Sequence, residues 1–263
     1  KQLGLVVIDE QHRFGVEQRL ALVNKGQNEL HPHQLMMSAT PIPRSLAMSY
    51  YADLDVSSID ELPPGRTPIK TLLINNVRRK EVIKFVQQHA CLGNQAYWVC
   101  PLIEESEKLE LENAINTHEE LTNALAPIKV GLVHGKMKSK DKAEVMADFT
   151  ANWTQVLVAT TVIEVGVDVP NASIMVIEHS ERMGLAQLHQ LRGRVGRGST
   201  ESQCVLLYEG NPSEVAKQRL KVISSSNDGF EIARQDLLIR GPGELLGQRQ
   251  SGLPALRFAN LEA

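Results

Sequence analysis

Two stretches carry residue types that could act on a phosphate. The first is Gln190-Leu191-Arg192-Gly193-Arg194-Val195-Gly196-Arg197-Gly198. Arginines spaced between glycines present guanidinium forks without neighbouring bulk, and such forks match phosphate oxygens bidentately. A solvated basic loop is the plainer reading of an arbitrary G-R-x-G-R. Gln187-Leu188-His189-Gln190 just before it, and a place after a strand, favour the chemical one. The second stretch is Leu3-Gly4-Leu5-Val6-Val7-Ile8-Asp9-Glu10-Gln11-His12, an apolar run that stops at two carboxylates. Such a run reads as a buried strand of a parallel sheet rather than a half-exposed one. Ligands of open α/β sheets sit beyond the carboxyl ends of the strands. Asp9 there suits Mg²⁺, since hard cations prefer oxygen ligands, and Glu10 could take the proton of an attacking water. A turn at a strand end is the plainer alternative.

Weaker candidates follow other predicted strands. Val156 to Ala159 runs into Thr160-Thr161, then Gly166, where a ligand could approach closely, and Asp168, which could accept from ribose hydroxyls. An ordinary strand ending competes with that reading. Ser38-Ala39-Thr40 places hydroxyls after Leu35-Met36-Met37, where they could equally cap a helix. Val133-His134-Gly135-Lys136 offers an imidazole, backbone donors and a cation, although a lone histidine is more often structural.

The elements that must position these groups alternate in type. Ile69 to Ile74, Ala96 to Val99, Val130 to Val133, Val156 to Ala159, Ile174 to Ile177 and Cys204 to Leu207 read as strands. Between them, Val82, Ile83, Val86 and Ala90 share one helical face, Leu121 and Leu125 mark a helix, and Ala143, Met146 and Phe149 another. Strands alternating with helices mean a mostly parallel sheet covered on both faces. Phe14, Val16, Leu20 and Val23 form a looser helical stripe. Pro63, Pro64, Gly65 and Pro68 mark a linker, since they cannot continue a helix or a central strand. From Ser213 the pattern becomes two helices, Val215, Ala216, Leu220 and Ile223 on one and Phe230, Ala233, Leu237 and Leu238 on the other. Joined by Ser-Ser-Ser-Asn-Asp-Gly, they read as a helical hairpin.

Composition narrows the field. The 263 residues are 42% hydrophobic and 22% charged, as in ordinary globular proteins. No apolar run approaches the ~20 residues that span a bilayer, and no signal peptide is visible, so no membrane role is expected. Three scattered cysteines frame neither a disulfide scaffold nor a zinc site, which makes a cytoplasmic location the default. The net charge of −3 announces no nucleic acid, so polyanion binding would have to come from local clusters such as Arg192, Arg194 and Arg197. The chain opens almost directly on an interior strand, which suggests a piece of a longer protein.

Taken in order, these stretches resemble the motifs of superfamily 2 helicases and translocases. Asp9-Glu10-Gln11-His12 resembles their DExH (Walker B) box, Ser38-Ala39-Thr40 their coupling motif, Thr160 to Pro170 motif V, and Gln190 to Arg197 the Q-x-x-G-R-x-G-R of motif VI. Within the superfamily, Asp9 to Arg19, Tyr97 to Glu107 and Gly241-Pro242-Gly243-Glu244 resemble the bacterial RecG family. The transcription-repair coupling factors (Mfd) are one alternative, and a DNA-binding or docking module that kept the helicase lobe without hydrolysis is another; the intact Glu10 and G-R-x-G-R favour a motor. No G-x-x-x-x-G-K-[ST] occurs, so the phosphate loop is expected in an N-terminal part outside this sequence.

The resemblance implies an α/β fold: a RecA-like parallel sheet flanked by helices, the P-loop NTPase helicase lobe, followed by a C-terminal helical hairpin. It divides the chain into the end of a first lobe (1–62), an interlobe linker (63–68), a second lobe (69–210) and a translocation hairpin with its loop (211–263). It implies ATP and Mg²⁺, with Asp9 holding the metal through water, Glu10 activating water, and Arg194 and Arg197 on the γ-phosphate. Gly166, Asp168 and Gln190 would also face nucleotide. His12, Ser38 and Thr40, with Gln190, would couple lobe closure to DNA movement, and His134, Lys136, Thr160, Thr161 and Arg240 would contact DNA. The implied partners are double-stranded and branched DNA and single-stranded DNA-binding protein, and the implied state is a monomer.

Overall fold

The computed structural model describes residues 3–9, 21, 32–38, 55, 57, 59, 61, 66–101, 107–160, 169–198 and 200–240. Two parallel strands, β1 (Leu5–Ile8) and β2 (His33–Met36), form one small sheet. The main sheet has six strands: β3 (Lys70–Asn75), β4 (Gln95–Cys100), β5 (Val130–Val133), β6 (Val156–Thr160), β7 (Ala172–Ile177) and β8 (Gln203–Tyr208). Their spatial order is β3-β8-β7-β4-β6-β5, and every pairing is parallel. Each predicted strand of this sheet is present, most extended by a residue or two.

Parallel strands need crossovers, and helices supply them. These are α1 (Arg79–Cys91), α2 (Glu107–Leu125), α3 (Ser139–Thr150) and α4 (Leu185–Arg192), followed by α5 (Glu214–Ser225) and α6 (Gly229–Arg240). The central strands β4, β6 and β7 are buried throughout, because both faces of the sheet are covered. Alternation along β4 sorts its side chains. Tyr97 and Val99 join a core with Met146, Phe149, Leu185, Leu188, Leu220 and Ile223. Trp98 and Cys100 join a second core with Val82, Val86, Leu121 and Leu125. The expected stripe of α1 is the one buried, Val82, Ile83, Val86 and Ala90.

Three expectations need correction. The opening strand is not buried on both faces: Val6 and Ile8 are, but Leu5 and Val7 are 57% and 54% exposed. Among the described residues β2 is its one strand partner, and there β1 shows the period-2 alternation of a sheet covered on one side. The buried stripe of α6 also differs, because Phe230 and Leu238 are exposed. Ile232 is buried and Ile239 packs against the same core, seven residues on and so on one helical face. On α3, Ala143 faces solvent while Met146 and Phe149 carry the contact.

The hairpin itself is present. Ser224 and Ser225 extend α5, so the connection shrinks to Ser226-Asn227-Asp228. The Ser213 hydroxyl accepts from the Ala216 N–H at the start of α5, and the Asp228 carboxylate from the Phe230 N–H at the start of α6. Among the described residues no helix is long and apolar enough to cross a membrane.

Candidate nucleotide and DNA interface

The arginine-glycine loop lies at the amino-terminal edge of the main sheet. Helix α4 begins beyond the carboxyl end of β7 and runs back, so residues 193–198 and 200–202 return to the edge where β8 starts. Val195, between the two candidate arginines, is fully buried in the core. It anchors the loop, and Arg194 and Arg197 flank it at the surface, half-buried and exposed respectively. Gly193 closes α4 with its N–H on the His189 carbonyl at 3.0 Å.

Two further glycines are demanded by geometry. Gly196 has φ +75°, and a Cβ on it would meet Ile69 Cγ1 at 3.0 Å. A Cβ on Gly198 would stand 2.5 Å from the Pro170 carbonyl oxygen, closer than any real contact. The glycines thus wedge the loop between the residues that precede β3 and those that precede β7. Among the described residues the Arg194 guanidinium has no hydrogen-bond or ion-pair partner.

Arg192 is different. It is 3% exposed, so it does not belong to a surface basic cluster with Arg194 and Arg197. Its Nη1 donates to the Ile223 and Ser226 carbonyls, both at 2.7 Å, and more weakly to Thr71 Oγ1 at 3.4 Å. The first two carbonyls end α5, where a cation also suits the helix dipole. Nη2 lies 3.2 Å from His189 Nδ1, which must then be the unprotonated nitrogen. Burial, with the Arg192 charge, pushes the His189 pKa down to about 4. Arg192 therefore fastens the arginine-glycine loop to the helical hairpin.

The carboxyl edge holds the other candidates. His134 follows β5, half-buried, with its Nδ1 buried and unpartnered among the described residues. Its pKa is lowered by burial and then by the charges of Lys142 and Lys136. Lys136, Lys138 and Lys140 are exposed, and Lys142 donates to the Gly135 carbonyl at 2.8 Å. These cations surround the start of α3, whose N-cap Lys138 supplies no side-chain cap. Cations beside open backbone N–H groups attract phosphate. Thr160 ends β6 and is 5% exposed.

Elsewhere along this edge charge is consumed internally. Glu178, just past β7, accepts from Arg79 Nε at 2.7 Å and Trp98 Nε1 at 2.9 Å, and Arg79 lies over the Trp98 ring and also pairs with Glu120. Both carboxylates and the guanidinium tie α1, β4, β7 and α2 together.

On the small sheet, Met37 N–H donates to the Ile8 carbonyl at 2.7 Å, which brings Asp9 and Ser38 to the same carboxyl edge, both exposed. Gln190 is half-buried on α4. Glu10, His12, Thr40, Thr161, Gly166 and Asp168 lie outside the described residues, as do the Phe14 to Val23 stripe and residues 62–65 of the linker; of Arg240, only the helical backbone is described.

The residue the sequence did not single out is Arg66. From the linker, its Nε donates to the Gly196 carbonyl at 3.0 Å and its Nη2 to the Gly193 carbonyl at 3.4 Å. Its signal was faint: a lone cation in a proline- and glycine-rich stretch.

Comparison with known proteins agrees with this architecture. Residues 73–199 match the helicase conserved C-terminal domain, and residues 226–262 match domain 3, C-terminal, of the ATP-dependent DNA helicase RecG. The chain is 63% identical over 98% of its length to the ATP-dependent DNA helicase RecG of Escherichia coli (strain K12), and 60% identical over 98% to that of Acidithiobacillus ferridurans. It spans 38% and 37% of those relatives' lengths. A solved structure of RecG bound to a three-way DNA junction superposes with a TM-score of 0.73 at 48% identity, covering 92% of this chain and 31% of that one. The chain belongs to the RecG helicase family.

Proposed function

We propose that the chain is the motor portion of an ATP-dependent double-stranded DNA translocase that remodels branched DNA, such as stalled forks and Holliday junctions, in recombination and repair. The observation that carries this reading is the arginine-glycine loop: a half-buried Arg194 and an exposed Arg197 around a buried valine, pinned by Arg192 to the hairpin.

In this reading residues 1–62 end a first RecA-like lobe, 63–68 link it to the second lobe at 69–210, and 211–263 form the translocation element. ATP is the substrate, held between lobes. An exposed carboxylate at the end of β1 fits Mg²⁺, which when bound screens the phosphate charge. Glu10 takes a proton from the hydrolytic water as it attacks the γ-phosphorus. Arg194 and Arg197 stabilise charge on the transferring phosphoryl group, a contribution of about 10³–10⁵ in rate for such arginines. Gly166, Asp168 and Gln190 meet the nucleotide, while His12, Ser38 and Thr40 relay lobe closure. Arg192 passes displacement of the loop to α5 and α6.

DNA is held mainly by its phosphates, through His134, Lys136, Thr161 and Arg240, so affinity falls steeply with salt. Thr160, buried at the end of β6, is closed to it. The protein works as a cytoplasmic monomer, with single-stranded DNA-binding protein as a further partner. Because the 263 residues hold no G-x-x-x-x-G-K-[ST], they bind ATP weakly and hydrolyse none alone.

The test is Glu10→Gln in the full-length protein. DNA-stimulated ATP hydrolysis should fall at least about 10²-fold, the scale of a lost general base, with DNA binding retained. Hydrolysis near the wild-type rate would remove Glu10 from its role.

A further inference from the structure

Arg66 stands in the segment that joins the two lobes, yet its hydrogen bonds go to neither lobe's core. They go to the backbone of the arginine-glycine loop, on the carbonyls of Gly196 (3.0 Å) and Gly193 (3.4 Å), which bracket Arg194 and Val195. Arg197 Nε reaches the same Gly193 carbonyl at 3.5 Å. The attachment is reinforced beside it. Ile69, three residues along the chain, meets the tight approach of Gly196, and the Lys70 N–H donates to the Ser202 carbonyl at 3.0 Å. A guanidinium presents donors in a fixed fork, so two carbonyls three residues apart can both be held while the loop keeps one shape. The loop therefore has two tethers, Arg192 on the hairpin side and Arg66 on the linker side.

We infer that Arg66 is a positioning residue for Arg194 and Arg197: it sets their reach by tying the loop's backbone to the linker, so that linker movement during lobe closure carries the arginines with it. This rests on the reading of those arginines as γ-phosphate contacts. A side chain that merely held the fold together would affect every ligand alike. One that aims the arginines affects only states in which the transferring phosphate is present.

The experiment uses the full-length protein with Mg²⁺ and compares Kd for ADP with Kd for ADP–aluminium fluoride, a mimic of the transferring phosphoryl group. Arg66→Ala should weaken the mimic on the order of tenfold, the scale of a lost charge-assisted hydrogen bond, and leave ADP and DNA affinities as they were. Arg66→Lys should recover part of the loss, because an ammonium still donates to the Gly196 carbonyl. In an Arg194→Ala, Arg197→Ala background Arg66→Ala should add no further loss. Should the alanine variant not fold, by thermal melting, Arg66→Lys and Arg66→Gln carry the same comparison.

Equal weakening of ADP and the mimic would overturn the inference in favour of a structural role. So would a full additional loss in the Arg194→Ala, Arg197→Ala background. An unchanged mimic affinity for Arg66→Ala, with Arg194→Ala weakened, rejects the inference and leaves the arginine reading intact. No effect of Arg194→Ala rejects that reading itself, and the inference with it.

Discussion

The two edges of the main sheet are built on opposite principles. At the amino edge backbone decides: Gly196 and Gly198 occupy places where a side chain has no room, and Arg66 and Arg192 bind carbonyl oxygens. At the carboxyl edge side chains decide, with Glu178 and Arg79 locked together on one part and Lys136, Lys138 and Lys140 exposed on another. The strands between are five or six residues long in this part of the sheet, so the edges stand about 15–20 Å apart. A loop that must present two arginines to one small, reacting group needs a fixed backbone. A surface that follows a moving polyanion needs cations on flexible stems and little else.

The amino edge breaks most severely through its glycines. Gly198→Ala drives a methyl into the Pro170 carbonyl, and the loop or residues before β7 must shift. Expected are a destabilisation of about 1–3 kcal/mol in denaturant unfolding and a loss of ATP hydrolysis in the full-length protein. Gly193→Ala is the control: its φ is helical at −67° and its added Cβ would find ordinary contacts, so stability should hold or rise slightly.

A smaller effect sharpens the contrast through protons. His189 sits against Arg192 with its pKa depressed from 6.5 to about 4. The unfolded chain therefore binds a proton across that window while the folded chain does not, and stability falls as pH drops from 6.5 towards 4. On the order of 1–2 kcal/mol is expected, discounted for partial exposure. His189→Gln keeps an acceptor for Arg192 and removes the titration, so its stability measured against pH should be flatter in that range. An equal slope would place the acid sensitivity elsewhere.

Much of the fold was legible because it rests on periodicity. The α1 stripe and the six parallel strands follow from local pattern, and Leu121 and Leu125 lie buried on α2 as their spacing implied. Where pattern depended on what lies opposite, it misled. Phe230 and Leu238 looked like core beside Ile232, which is core. In the candidate site, the arginines and glycines were legible as a group and their division of labour was not. Arg192 and Arg194 are two residues apart and chemically identical, but one ends at helix carbonyls 31 and 34 residues away and the other at the surface. Arg66 acts on backbone 127 and 130 residues distant, a contact no local spacing encodes.

The proposed function puts phosphate chemistry and DNA contact on different edges of one lobe. It is tested most directly by Arg194→Ala in the full-length protein, with the hydrolysis rate at saturating branched DNA and the DNA Kd measured on the same preparation. The predicted result is a rate lower by about 10³-fold or more with the DNA Kd essentially unmoved. A DNA Kd that weakens in proportion to the rate would contradict it, and would make the arginine-glycine loop a DNA contact.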